Sequence, residues 1–349
     1  MRILTRTGEV NTIDAMKIVV RAPNWIGDAI LSMPAMASLP KNFPDAKIWV
    51  CASGWTKGIF DRLDWIKGTI SLSNKGSFKS IRSNARELKE QAFDIGILFT
   101  NSFGSALQFS LAKIPQRWGY ARDGRHFLLT KRVQASPLEA PRHHLHYYMS
   151  LISKLGLETA PAELNFPLNA KTVSQARDFL RSHSVDTDKP IFILNPGASY
   201  GPAKRWPAPF FASLASLLQT HRKEQILITG AEADAEIARS IAGLMSNPPV
   251  DLTGKTTLQQ LAGVISQSAL FITNDSGPMH LANALKVPVV AIFGPTDPRI
   301  TGPYQKPSKV LQAHVPCWPC SYRVCPFEHQ CMTQISPEMV HEKCQDLLQ

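Results

Sequence analysis

The sequence predicts an α/β protein made of two Rossmann-like domains whose parallel sheets face each other across a cleft. Three observations lead to that fold class. Short β-branched runs alternate with helical stretches rather than with hairpin turns. The alternation occurs twice, and 349 residues of 44% hydrophobic content supply chain and apolar material for two cores. A polar, proline-containing stretch from Leu155 to Lys189 separates the two rounds.

Met16 directly precedes the first strand, so the polar residues 1–15 read as an N-terminal extension without the apolar core of a secretory signal. The first domain is expected over residues 16–170, with strands at Lys17–Arg21, Lys47–Ala52 and Asp94–Thr100. The second is expected over 171–349, with strands at Ile191–Asn195, Gln225–Thr229, Leu270–Thr273 and Val287–Phe293. No apolar run approaches the roughly 20 residues of a membrane-spanning helix, so a cytoplasmic protein is expected.

Charge separates the two halves. Lys+Arg 38 against Asp+Glu 27 leaves a formal net charge of +11, and residues 1–170 contribute +9 of it (22 basic, 13 acidic). An anionic partner for the first half follows, with Arg117, Arg122, Arg125, Lys131, Arg132 and Arg142 concentrated in one stretch. No nucleic-acid recognition motif or basic helix stripe accompanies that charge.

Residues just after each strand are the places to look for a ligand, because Rossmann-like sheets bind beyond the carboxyl ends of their strands. The first strand runs into Pro23-Asn24-Trp25-Ile26-Gly27-Asp28, with a helix predicted over Ala29–Leu39. Gly27 permits a tight turn, and Asp28 at the helix start is either an N-cap or a catalytic carboxylate. Ile191–Asn195 runs into Pro196-Gly197-Ala198-Ser199-Tyr200-Gly201-Pro202-Ala203-Lys204-Arg205-Trp206-Pro207. Its glycines allow close approach, Ser199 offers a hydroxyl, and Lys204 with Arg205 matches a diphosphate; the plainer alternative is a solvated basic turn. Thr273-Asn274-Asp275-Ser276-Gly277-Pro278-Met279-His280 opens a helix whose first amides favour an anion. Asp275 and Ser276 serve equally well as caps, and His280 as a buried helix residue. Glu232, after Thr229-Gly230-Ala231, is placed to accept from ribose hydroxyls or is a surface carboxylate.

Absences narrow the chemistry. The P-loop pattern, the Gly-x-Gly-x-x-Gly fingerprint and the Gly-x-Ser-x-Gly elbow are missing, and no clear Asp-x-Asp metal pair of a sugar transferase is seen. Diphosphate charge would then be met by Lys204, Arg205 and helix dipoles, with no metal. Cys317, Cys320, Cys325 and Cys331, with His314 and His329 nearby, form the remaining cluster. One Cys-x-x-Cys pair where zinc ribbons carry two favours free or oxidisable thiols over a structural zinc.

Together these residues resemble the lipopolysaccharide heptosyltransferases, ADP-heptose-using glycosyltransferases of the GT-B fold, from about Met16 to the C-terminus. The likeness follows the second-heptose (heptosyltransferase II) branch in the Pro23–Asp28, Pro196–Pro207 and Thr273–His280 motifs. It extends to Asn101-Ser102-Phe103-x-Ser105-Ala106-Leu107 and to Gly119-Tyr120 with Arg125. The resemblance implies inverting transfer of heptose from ADP-heptose onto the first heptose of the inner core, with no cofactor. It implies Asp28 as general base and Lys204 as the residue that steadies the leaving diphosphate. Around the donor it implies Ser199, Arg205, Glu232, Asp275, Ser276, Gly277 and His280; toward the acceptor, Asn101, Ser102, Arg122 and Arg125. The implied acceptor is lipid A carrying Kdo and heptose at the cytoplasmic face of the inner membrane, with peripheral membrane contact and no nucleic acid. Relatives vary at Glu232 and in the Cys-rich stretch, which argues against catalytic thiols. Heptosyltransferase I or III, another ADP-sugar transferase, and a non-catalytic sugar-nucleotide-binding protein are the alternatives.

Overall fold

A computed structural model describes residues 15–73, 76–135, 142–222 and 224–349. The expected extension lies outside these residues except for its last position. Contacts divide the chain into two compact units: Met1–Asn24, Ala35–Pro137 and Tyr148–Pro161 form the first, and Trp25–Pro34, Leu138–Tyr147 and Ala162–Gln349 the second.

The first unit holds a six-stranded sheet of β1 (Lys17–Arg21), β2 (Lys47–Ser53), β3 (Ile66–Leu72), β4 (Ile95–Leu98), β5 (Gln116–Tyr120) and β6 (Lys131–Val133). Its order is β3-β2-β1-β4-β5-β6 with every neighbouring pair parallel. Among the described residues five α-helices accompany this part of the chain: α1 (Ile26–Met36), α2 (Leu39–Asn42), α3 (Phe78–Glu90), α4 (Phe103–Leu111) and α5 (His144–Lys154). Phe109 of α4 lies so close over β4 that a Cβ on Gly96 would stand 2.4 Å from its ring, so glycine there sets the helix–sheet distance.

The second unit repeats the design. Its strands are β7 (Ile191–Asn195), β8 (Gln225–Ile228), β9 (Val250–Asp251), β10 (Leu270–Asn274), β11 (Val289–Phe293) and β12 (Ser308–Gln312), in the order β12-β11-β10-β7-β8-β9, all parallel. The helices are α6 (Ala170–Ser182), α7 (Ala208–Arg222), α8 (Ala235–Gly243), α9 (Leu258–Ile265), α10 (Gly277–Ala284), α11 (Pro298–Thr301), α12 (Gln330–Thr333) and α13 (Pro337–Leu348). Strands β7, β10 and β11 are buried at every residue, as expected of central parallel strands covered on both faces. Trp206, fully buried, anchors this core, and its indole N–H donates to the Ile335 carbonyl at 2.9 Å.

Each sheet has its first strand beside its fourth, so the winding reverses between β1 and β4 and between β7 and β10. Loops leaving those strands border a crevice in each unit, and they carry the motifs read from the sequence. All seven predicted strands are present. The five that periodicity missed, β3, β5, β6, β9 and β12, lie at or next to sheet edges and are half-exposed or very short, which weakens the apolar signal. Helix α1 starts at Ile26, three residues earlier than expected, which puts Asp28 inside its first turn and not at the N-cap. The second unit takes up the chain at Ala162 rather than at 171, because Leu164 exchanges two hydrogen bonds with the Gln305 side chain and Phe166 N–H donates to the Ala284 carbonyl. No helix among the described residues is long and apolar enough to cross a membrane.

Asn283 ties α10 to the segment before β12: its amide donates to the Gln305 carbonyl at 2.6 Å and accepts from the Tyr304 and Gln305 N–H groups at 2.9 and 3.0 Å. The side chain is 1% exposed. Asn283→Ala strands three backbone groups and should cost about 2–3 kcal/mol in a urea titration; a loss below about 0.5 kcal/mol would mean that water replaces the amide.

Candidate active site

The densest polar constellation lies in the second unit, where β7 and β10 end side by side. Asn195 closes β7, donating to the Thr229 carbonyl and accepting from Ser276 at 3.2 Å. Asn274 closes β10, donating to the Pro196 carbonyl at 2.7 Å and accepting from the Trp206 N–H at 3.0 Å. These two amides stitch the Pro196–Pro207 loop to the Thr273–His280 loop. Within the frame they make, the Lys204 ammonium donates to Asp275 Oδ2, and the Thr296 hydroxyl donates to the same oxygen at 2.6 Å. Both charged side chains are nearly buried, with 11% and 6% exposure. The Tyr200 ring lies 4.7 Å below the ammonium.

Ser276 occupies the N-cap position of α10, but its hydroxyl meets Asn195 and Thr273 and does not cap the helix. Ser276 thus does not satisfy the first-turn amides of α10, where an anion is favoured. Arg205 turns away from Lys204 toward the buried carboxylate of Asp234, at 3.4 Å. Asp234 presses on the loop so closely that a Cβ on Gly197 would stand 2.3 Å from its Oδ2. Ser199 is exposed, and exposed Glu232, in the turn after β8, lies over Gly254, in the turn after β9. Asp186-Thr187-Asp188 does have Asp-x-Asp spacing, but it precedes β7, at the opposite end of the sheet from these loops.

The start of α1 belongs to the same unit and packs on α10 through glycines. A Cβ on Gly27 would fall 2.7 Å from the His280 ring, and one on Gly277 2.9 Å from Ile26. The Asp28 carboxylate, one-quarter exposed, meets His144 Nδ1 at 3.0 Å. His280 is buried against Gly27, with no partner for Nδ1 among the described residues, so it lines the underside of the Asp28 turn instead of the open donor loop. Burial pushes its pKa down to about 4. His143, whose pKa burial also lowers, contacts the Gly302 carbonyl through Nε2 at 2.9 Å. His144, His143, Asp234 and Thr296 escaped the sequence reading; only the His-His pair at 143–144 was a visible signal.

In the first unit, Ser102 is the N-cap of α4 and accepts from the Ser105 N–H, with half-buried Asn101 just before it. Arg122 is exposed. Arg125 is not a surface cation: it is fully buried, donating to the Tyr120 carbonyl at 3.0 Å and to Ser105 Oγ at 3.4 Å, because its guanidinium braces the turn after β5. Arg117 is likewise engaged by the Leu128 and Ile114 carbonyls, and Lys131 by Leu155. Of the basic stretch, Arg122, Lys131, Arg132 and Arg142 are exposed.

The Cys-rich loop braces the Lys204 turn. Ala203 N–H donates to the Arg323 carbonyl, Tyr200 OH donates to the Ser321 carbonyl, and His329 Nε2 lies 2.7 Å from the Ala203 carbonyl. Cys317, Cys320, Cys325 and Cys331 line one cavity of about 420 Å³. All are free thiols, and burial with the neighbouring sulfurs raises Cys331 to about 11. Among the described residues no three His, Cys, Asp or Glu side chains are grouped to hold a metal.

Two doubly wound sheets of one strand order, with a polar site at a switch point, make a scaffold of the GT-B glycosyltransferase type, and comparison with known proteins specifies it. The model of glycosyltransferase family 9 (heptosyltransferase) matches residues 81–331. Lipooligosaccharide heptosyltransferase 2 of Campylobacter jejuni is 32% identical over 340 residues, 95% of this chain and 98% of the relative. Lipopolysaccharide heptosyltransferase 2 of Salmonella typhimurium is 31% identical over 354 aligned positions, 95% of this chain and 99% of the relative. The solved structure of ADP-heptose lipopolysaccharide heptosyltransferase II from E. coli superposes with a TM-score of 0.81 at 28% identity, covering 95% of this chain and 98% of that one. The chain belongs to glycosyltransferase family 9, the heptosyltransferase family.

Buried His280 ties stability to pH. Its folded pKa of about 4 lies below the 6.5 of the free side chain, so the unfolded chain takes up the proton first. The contribution of the neutral ring is complete above about pH 6.5 and is lost, by up to about 3 kcal/mol, as pH falls toward about 4. Urea unfolding across that range should show a steeper loss for the wild type than for His280→Gln; parallel curves would remove His280 as the cause.

Proposed function

We propose that the protein is an inverting heptosyltransferase that moves L-glycero-D-manno-heptose from ADP-heptose onto the first heptose of the lipopolysaccharide inner core. The observation that carries this reading is the gathering in one compact unit of a carboxylate, Asp28, and a diphosphate-suited loop pair, Lys204 with the start of α10. The names of the relatives support the donor and acceptor.

A sugar hydroxyl ionises far above neutral pH, so its proton must leave as the new bond forms. In this reading Asp28 takes that proton while the hydroxyl attacks the anomeric carbon from the face opposite the diphosphate, which inverts the configuration. Negative charge gathers on the departing ADP. Lys204 and the α10 amides meet it, more strongly in the transition state than before, with no metal required. Asp275, itself held by the Thr296 hydroxyl, keeps the ammonium in place beforehand, so little reorganisation is needed when the donor binds. Ser199, Arg205 and Glu232 border the donor, with Arg205 acting from its place on Asp234.

The acceptor reading uses the first unit, through Asn101, Ser102 and Arg122. Exposed Phe103 and Phe127 pack with tilted rings, centroids 6.0 Å apart, and Arg122 shares the β5–β6 connection with Phe127. Apolar rings beside cations suit a lipid-anchored, phosphorylated acceptor and peripheral contact at the cytoplasmic face of the inner membrane.

The test is incubation with ADP-heptose and lipopolysaccharide acceptors ending in Kdo, in the first heptose or in the second. ADP release with a one-heptose mass gain is expected on the first-heptose acceptor; gain on another acceptor would reassign the branch, and silence on all would indicate a binding protein. Asp28→Asn should keep ADP binding and lose about 10²–10⁴-fold in turnover; near-native turnover would remove Asp28 as the base. Lys204→Ala should sharply weaken donor use, and unchanged donor kinetics would refute the diphosphate assignment.

A further inference from the structure

The carboxylate read above as the base does not stand alone. Asp28 Oδ1 lies 3.0 Å from His144 Nδ1, a contact of hydrogen-bonding length between the first turn of α1 and the first residue of α5. The two side chains are 25% and 36% exposed, open enough for a substrate hydroxyl to reach the pair. We propose that His144 is the positioning residue of the reaction: its neutral imidazole donates Nδ1–H to Asp28 Oδ1 and so presents Oδ2 to the acceptor hydroxyl. This inference rests on Asp28 being the base.

His144 opens α5, with His143 just before the helix and His146 in its first turn. The Tyr147 ring packs against the His144 ring with centroids 5.6 Å apart and planes tilted by 41°, and Tyr304 packs against His143 at 4.9 Å and 50°. A carboxylate tied at one oxygen cannot rotate freely, so its second oxygen is held for one direction of attack.

Three variants test this. Asn at 144 can place an amide N–H where Nδ1–H was, Gln cannot, and Phe keeps the stacking on Tyr147 without a donor. His144→Phe and His144→Gln should lose about 10–100-fold in kcat, a fraction of a full general-base effect, with KM for ADP-heptose nearly unchanged. His144→Asn should recover most of the rate. If His144→Phe keeps kcat within about twofold of wild type, or if His144→Asn is no faster than His144→Gln, the proposal is wrong. Asp28→Asn measured alongside separates the two readings: its near-native turnover would overturn the base, whereas a dead Asp28→Asn with a fully active His144→Phe would overturn only the positioning role.

Discussion

The buried contact between Lys204 and Asp275 is the constraint around which the rest of the site is arranged. Removing two charges from water costs several kcal/mol per ion unless each is fully hydrogen-bonded. Thr296 supplies one such bond, the Tyr200 ring faces the ammonium, and the asparagines ending β7 and β10 bring the two loops into register. A pair of this kind contributes little net stability against an apolar replacement. What it does is hold a cation, ready for an anion, at the switch point of the sheet.

Small residues make that arrangement possible. Gly197 leaves room for the Asp234 carboxylate, and Gly201 lets the Arg323 carbonyl approach where a Cβ would stand 2.3 Å away. The Cys-rich segment thus acts structurally in this fold, as a brace behind the Lys204 turn, with Arg323 also stacking over Tyr200 at 5.0 Å. Gly27 and Gly277 do the same for α1 and α10, bringing the Asp28 turn against His280. The chemistry therefore depends on backbone approaches that only glycine permits, and side chains with charge are placed by side chains without it.

Much of the site was legible because parallel α/β sheets put their ligand loops after strands, so Asp28, Lys204 and Asp275 stood out by position alone. Arg125 shows the limit of that reading. A cation in a basic run looks like surface, yet its guanidinium is buried and reaches both the Tyr120 carbonyl and Ser105 from inside the turn. His280 was readable as either ligand or core, and burial decided for the underside of the Asp28 turn. Edge strands such as β6 and β9 were invisible, since two or three half-exposed residues carry no period.

The sequence by itself determined the fold class, the paired sheets, the family and the loops that bear the chemistry, because strand periodicity and strand-end motifs are local properties of the chain. Tertiary structure alone decided which side chains meet. The pairing of Asp28 with His144, of Arg205 with Asp234, and of Thr296 with Asp275 joins residues 116, 29 and 21 positions apart. No local pattern encodes those distances; they follow from how helices pack on a sheet whose winding reverses at its centre.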